Sequence, residues 1–263
     1  MHIGNARDAA IVALNAAADV ISDGLRADGG TYVGRVASIR AESTIRNLIA
    51  RHKTDCISAA NKNLSSKWKL NDIDTSVPND ESARRRMDDM SIVMQNTNTQ
   101  QKVWLPINIK ATVGGSSDNV CGWNAFSWCL FRNKELHTMQ NVLTYCAAHQ
   151  ICKDDSTDYL LWTFYKDDNG KLIGTSYASS LLLDCHANML QYNDAQSFPV
   201  QVKQPSMSHV RQATETIMDA STCHAQRIQL FRFVIGNKLN HARHIYDLCD
   251  AAIVAQQQST QVS

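Results

Sequence analysis

The sequence is notable first for what it lacks. No run of residues is long and apolar enough to cross a membrane. The N-terminus has no basic segment leading into a solid apolar block. Arg7 and Asp8 instead precede an alanine-rich amphipathic pattern, read as a helix and not as a secretory leader. Eight cysteines are present, but none forms a CxxC pair or a zinc-ribbon spacing. That argues against a cysteine metal site, and in a chain of this size it points to reduced thiols in the cytoplasm. There is no internal repeat, and the only low-complexity run is the polar tail "AQQQSTQVS", expected to fray. Net charge is only +1, so overall balance carries no nucleic-acid signal.

The charge is unevenly distributed, however. Between Arg35 and Lys69 eight Lys/Arg stand against Glu42 and Asp55, and between Lys203 and Arg243 six stand against Glu215 and Asp219. Two basic segments in a neutral chain suit either a groove for a polyanion or two solvated helix faces. At 263 residues, with 44% hydrophobic content, the chain suffices for one large domain, and no linker divides it.

Periodicity predicts helices over 5–25 and 38–64, the second with Ser38 as its N-cap. Residues 70–86 read as a polar loop. "MDDMSIVMQ" and "KVWLPINIKAT" bracket "NTNTQ" as a hairpin. "GGSSDN" reads as a loop, and the stretches from Val120 to Asn133 and from Lys134 to Ile151 as helices. "YLLWTFYKD" and "KLIGTSYASSLLL" form a second hairpin through Asp168-Asn169-Gly170. "SFPVQVKQP" is a short strand, and the region from Ser206 onward is mostly helical. Strands in the middle with helices at both ends imply an α/β fold, a central mixed β-sheet flanked by helices.

The chemistry-bearing feature is the strand "KVWLPINIKAT". Its apolar residues alternate with polar ones, placing Asn108 and Lys110 on one face, although lysine is seldom buried without a partner. The neighbouring strand begins at Asp88 and Asp89. Of the two, Asp89 lies on the face opposite Met90, Ile92 and Met94, which favours it as the functional carboxylate. An acid and a lysine meeting at one end of a sheet suit Mg²⁺ and water activation. Glu42 shares a helical face with Ile45 and Ile49 and so points inward or into a cleft. Each residue also has an ordinary structural reading. An aspartate can begin a strand, Lys110 can extend its stem toward solvent, and Glu42 can serve a helix dipole.

Asp89, then "NIK", then "SSDN" resembles the type II restriction endonucleases of the PD-(D/E)xK nuclease superfamily. Many of those carry a P-[VI]-N-I-K strand followed by ADN, and "LPINIKATVGGSSDN" is close to it. The resemblance covers roughly 42–203 and is specific over 88–119. It implies a restriction-endonuclease-like fold and a Mg²⁺-dependent enzyme that cuts double-stranded DNA at a short specific sequence. It implies that Asp89 is a metal ligand and Lys110 the catalytic lysine. Asn108 stands where the superfamily usually has Asp or Glu, so Asn108, the carbonyl of Ile109 and Glu42 complete the expected metal set. It also implies a homodimer, with the first or last helix as the expected interface.

Two other functions fit parts of the sequence. Cys121 before "GWNAFSWC" resembles the nucleophile of a papain-like cysteine peptidase, with His186 or His224 as base. A non-catalytic DNA-binding module would use the same basic segments but leaves Asp89, Asn108 and Lys110 unexplained. Asp194 with Gln201 and Lys203 repeats the acid-x-x-Lys pattern too closely spaced for a strand pair, which leaves Lys203 as a phosphate contact.

Overall fold

The computed structural model describes residues 5–76, 88–115, 117–154, 158–194, 198–204 and 220–260. Seven helices and eight strands occur among them. Helix α1 (Ala6–Ala27) is N-capped by Asn5, whose side chain accepts from the Asp8 N–H at 2.9 Å, and Asp8 places negative charge in the first turn. Its alanines and Leu14, Ile21 and Leu25 are buried, so the chain folds around this helix. That covers the alanine-rich face expected at a dimer interface.

Helix α2 (Arg35–Arg51) begins earlier than Ser38. Gly34, at φ 84°, makes the turn into it, and the Ser38 hydroxyl instead accepts from Lys166 Nζ at 3.1 Å. The expected single helix breaks at His52, after which α3 spans Lys53–Asn63.

The main sheet has the order β1-β2-β3-β5-β6. Strand β1 (Trp68–Asp74) lies where a loop was expected; Leu70 and Ile73 are its buried residues. β2 (Met90–Asn96) and β3 (Lys102–Thr112) form the expected antiparallel hairpin, in register from Met90↔Ile107 to Gln95↔Lys102. β3 runs parallel to β5 (Leu160–Lys166), with Ile107↔Leu160 and Lys110↔Thr163. β5 pairs with β6 (Leu172–Ser180) through the predicted turn, where Gly170 has φ 79°. The sheet is therefore mixed, as the pattern implied.

A second, three-stranded antiparallel sheet was not anticipated. It joins β4 (Ser117–Cys121), β8 (Val200–Lys203) and β7 (Leu190–Tyr192). β4 occupies much of the expected "GGSSDN" loop and the start of the expected following helix. Ser116 of that block lies outside the described residues. Helix α4 starts later, at Trp123, and ends at Phe131; α5 covers only Met139–Ala148. α6 (Leu181–His186) replaces the end of the expected strand, because the Ser180 hydroxyl accepts from the Leu183 N–H and caps a turn. α7 runs Ala220–Thr260, so the glutamine-rich tail is helical through Thr260. The loop expected over 77–86 and the helix expected over 206–219 lie outside the described residues.

Two apolar clusters clasp the main sheet. Ile107, Ile109, Trp162 and Phe164 face α1, α2 and α3. Tyr159 and Leu161 belong to the other cluster, with α4, α6, α7 and the small sheet. β5 is consequently buried along its whole length. The seven cysteines whose side chains are described are all free thiols. Among the described residues no helix is long and apolar enough to cross a membrane.

Candidate functional site

The start of β2 and the C-terminal half of β3 place the sequence candidates together. Pairing begins at Met90↔Ile107, and extending it by one residue sets Asp89 beside Asn108. Asp89 is anchored twice through the backbone. Its N–H donates to the Ile107 carbonyl at 2.9 Å, and its Oδ2 accepts from the Ile109 N–H at 2.7 Å. Met90, Ile92 and Met94 are fully buried in the core, on the face opposite Asp89. Oδ1 of Asp89 has no hydrogen bond among the described residues.

β3 extends past the start of β2, and α2 packs against it there. Ile45 and Ile49 are buried, which turns Glu42 toward the strand. Lys110 Nζ donates to Glu42 Oε1 at 3.3 Å, with side chains 19% and 18% exposed. This largely sheltered pair, spanning 68 residues of sequence, accounts for a lysine on an otherwise buried strand. Burial raises the Asp89 carboxyl above its ordinary range. Lys110, the Ile109 N–H and Arg46 pull it back down, and Asp88 adds repulsion in the same direction as burial.

Asn108 is half-buried. It bonds the hydroxyl of the buried Tyr159. Its Oδ1 is buried and has no hydrogen-bond partner among the described residues. A buried amide oxygen left open is costly in a finished core and suits a site that takes up a further group.

The ligands proposed from the sequence are all oxygens: Asp89, Asn108, Glu42 and the Ile109 carbonyl. Such a set fits a hard divalent cation such as Mg²⁺ and does not fit a thiophilic metal. Among the described residues no three His, Cys, Asp or Glu side chains gather as a metal-holding group. The unpartnered Asn108 oxygen is therefore the feature that fits a cation best, beside only two of the carboxylates.

Several neighbours escaped the sequence reading. Arg46, one helical turn after Glu42, acts on the Asp89 carboxyl, and its i,i+4 spacing was visible in the sequence. Thr163, in register with Lys110, donates to Gln204 Oε1 at 2.7 Å, and Gln204 Nε2 is buried without a partner among the described residues. No local pattern connects Gln204 to Lys110. β8 alone carries it there.

The remaining candidates are placed elsewhere. Cys121 is fully buried, its Sγ donates to the Gly122 carbonyl at 3.4 Å, and burial pushes its thiol well above the ordinary value. That is the reverse of an activated nucleophile. His186 Nδ1 bonds Gln226, and His224 Nδ1 bonds the Cys152 carbonyl. Asp194 pairs with His241 at 3.4 Å, and Lys203 is exposed at the end of β8. Arg227, counted in the second basic segment, is buried. It donates to the carbonyls of Cys129, Cys152 and Asp154, so it supplies no surface charge. No protein-family model matches the chain, and no curated protein matches it either.

Proposed function

We propose that the protein is a Mg²⁺-dependent endonuclease that hydrolyses phosphodiester bonds in double-stranded DNA at a specific short sequence, as type II restriction enzymes do. One observation carries this reading: the Asp89–Ile109 and Lys110–Glu42 bonds bring three separate chain segments to one strand end. Beside them Asn108 holds an open, buried oxygen.

Asp89, Asn108, the Ile109 carbonyl and Glu42 would hold Mg²⁺. When bound, Mg²⁺ supplies Lewis-acid stabilisation of the charge that develops on the phosphate and the leaving 3′ oxygen. Lys110 orients the attacking water and stabilises negative charge beside it. Glu42 keeps the Lys110 ammonium in place. Burial raises the Asp89 carboxyl, while Lys110, the Ile109 N–H and Arg46 favour the ionised form that a cation needs. Basic residues of α2, α3 and β8 draw the duplex in. A two-fold dimer would match a palindromic site, since an isologous pair shares the symmetry of the duplex. The free thiols agree with a reducing cytoplasm.

The direct test is incubation of purified protein with phage DNA in Mg²⁺ or in EDTA. Discrete bands in Mg²⁺ alone are expected. Uncut DNA in both, or a smear independent of metal, would refute the reading.

A further inference from the structure

The small sheet and α7 line an open polar concavity of about 420 Å³. Carboxamides dominate its lining, with Asn193 after β7, Gln201 from β8 and Asn237 and Asn240 from α7; Tyr192 from β7 and the Asp194–His241 pair complete it. Asn237 and Asn240 are three residues apart and so share one helix face.

Several of these groups are left open. Asn237 Nδ2 donates back to the Phe233 carbonyl at 2.6 Å, which fixes the amide and leaves its Oδ1 without a partner among the described residues. Asn240, exposed on α7, makes no hydrogen bond among them. The Tyr192 hydroxyl is buried and equally without a partner. The acid in the lining is engaged, with His241 Nε2 3.4 Å from Asp194 Oδ2 and Lys238 donating to the Asp194 backbone carbonyl at 3.0 Å. A polyanion approaching here meets Lys238 and Arg243 with that carboxylate already engaged.

Paired donors and acceptors on a carboxamide match the edge of adenine, whose N6–H and N7 lie side by side in the major groove. The position relative to the candidate site is set by β8. Gln204, immediately after that strand, bonds Thr163, the register neighbour of Lys110. Gln201 stands three residues upstream, about 10 Å along an extended strand.

We propose that Asn237 and Asn240 read an adenine edge beside the bond the candidate site cuts. The inference rests on the nuclease reading for its ligand, but it is tested by binding, which needs no cleavage. The full-length protein is used to select duplexes from a random pool in Ca²⁺ buffer. Each adenine of the selected site is then replaced by 7-deazaadenine, which removes N7, and binding is measured by fluorescence anisotropy. One position is expected to lose roughly 10- to 100-fold in affinity. Asn240→Ala and Asn237→Ala are each expected to weaken binding similarly and to become indifferent to that replacement. Asn240 is exposed, so its variant tests the reading without threatening the fold. Full sensitivity retained in both variants, or no adenine in the selected site, overturns the inference. A parent that selects no sequence overturns it as well. A parent that selects a site, shows the adenine effect and cuts nothing in Mg²⁺ supports it while removing the nuclease reading.

Discussion

Replacing Asp184 by asparagine is expected to stabilise the protein at and above neutral pH, with a pH profile set by its surroundings. Asp184 is buried on α6, where its Oδ2 accepts from the Ser179 hydroxyl at 2.9 Å. Burial raises its carboxyl from the ordinary 3.8 to about 7; Asp158 pushes in the same direction, and the Ser179 bond opposes them. Asp158 is itself fully buried, 3.9 Å from Arg7. Tyr177 and Cys185 also lie within electrostatic range of Asp184. Between these two values the folded chain keeps a proton that the unfolded chain has lost. Stability therefore falls as pH rises from about 4 to 7 and levels off above, with a slope of about 1.4 kcal/mol per pH unit. The full span is about 4 kcal/mol, an upper bound because relaxation and water entry offset part of it. Asparagine cannot ionise and retains a carbonyl oxygen for the Ser179 hydroxyl. Urea unfolding of parent and Asp184→Asn from pH 5 to 8.5 isolates this group, since every other titration is common to both. The stability difference in favour of the variant should grow by 1 to 3 kcal/mol up to pH 7 and then hold flat. A difference that stays constant across the range, or shrinks as pH rises, would refute the argument.

Lys110→Ala should lower cleavage at least about 100-fold while DNA binding persists, read in a plasmid assay beside anisotropy. Glu42→Gln should also be severe, on the order of 100-fold, because it removes charge from a site with few carboxylates. Asn108→Asp should stay within about 10-fold of the parent at saturating Mg²⁺; single-turnover cleavage across a Mg²⁺ titration compares the two, and full activity in Glu42→Gln would remove Glu42 from the site. Cys121→Ser should keep nuclease activity and cost about 1–2 kcal/mol by thermal unfolding, since the serine hydroxyl can donate to the same Gly122 carbonyl. Gly174→Ala should destabilise by about 1–3 kcal/mol, because φ is 76° there and a Cβ would lie 2.8 Å from the Ser22 carbonyl; an unchanged melting temperature would contradict this.

Local patterns located the parts of the site that local physics controls. The alternation in 102–112 placed Ile107 and Ile109 on one face and Asn108 and Lys110 on the other, and helical spacing turned Glu42 inward with Ile45 and Ile49 beneath it. Patterns failed where distant pairing decides the outcome. "SSDN" is polar enough to read as a loop, yet Ser117–Cys121 becomes a strand because β8 supplies its ladder. Leu70 and Ile73 were too sparse to signal β1 against the polar residues around them, and β2 provides that strand's partner. The break at His52 leaves no proline or glycine signature. Tyr159 and Gln204 reach Asn108 and Thr163 only through the crossover from β3 to β5 and the return of β8, which periodicity cannot express.

The parallel pairing of β3 with β5 bears on when activity can arise during synthesis. A nascent chain that has emerged only through Thr112 holds the β2–β3 hairpin and both members of the Glu42–Lys110 pair, but the strand that flanks Asn108 and Lys110 has not been made. Loop closure across the intervening helices must precede that contact, and such long-range parallel pairing is slow. β8, which brings Gln204 to Thr163, comes later still. Under the proposed nuclease function, competence to cut therefore waits on β5 and β8, and a stalled or truncated chain lacking β5 is expected to be inert toward the DNA around it.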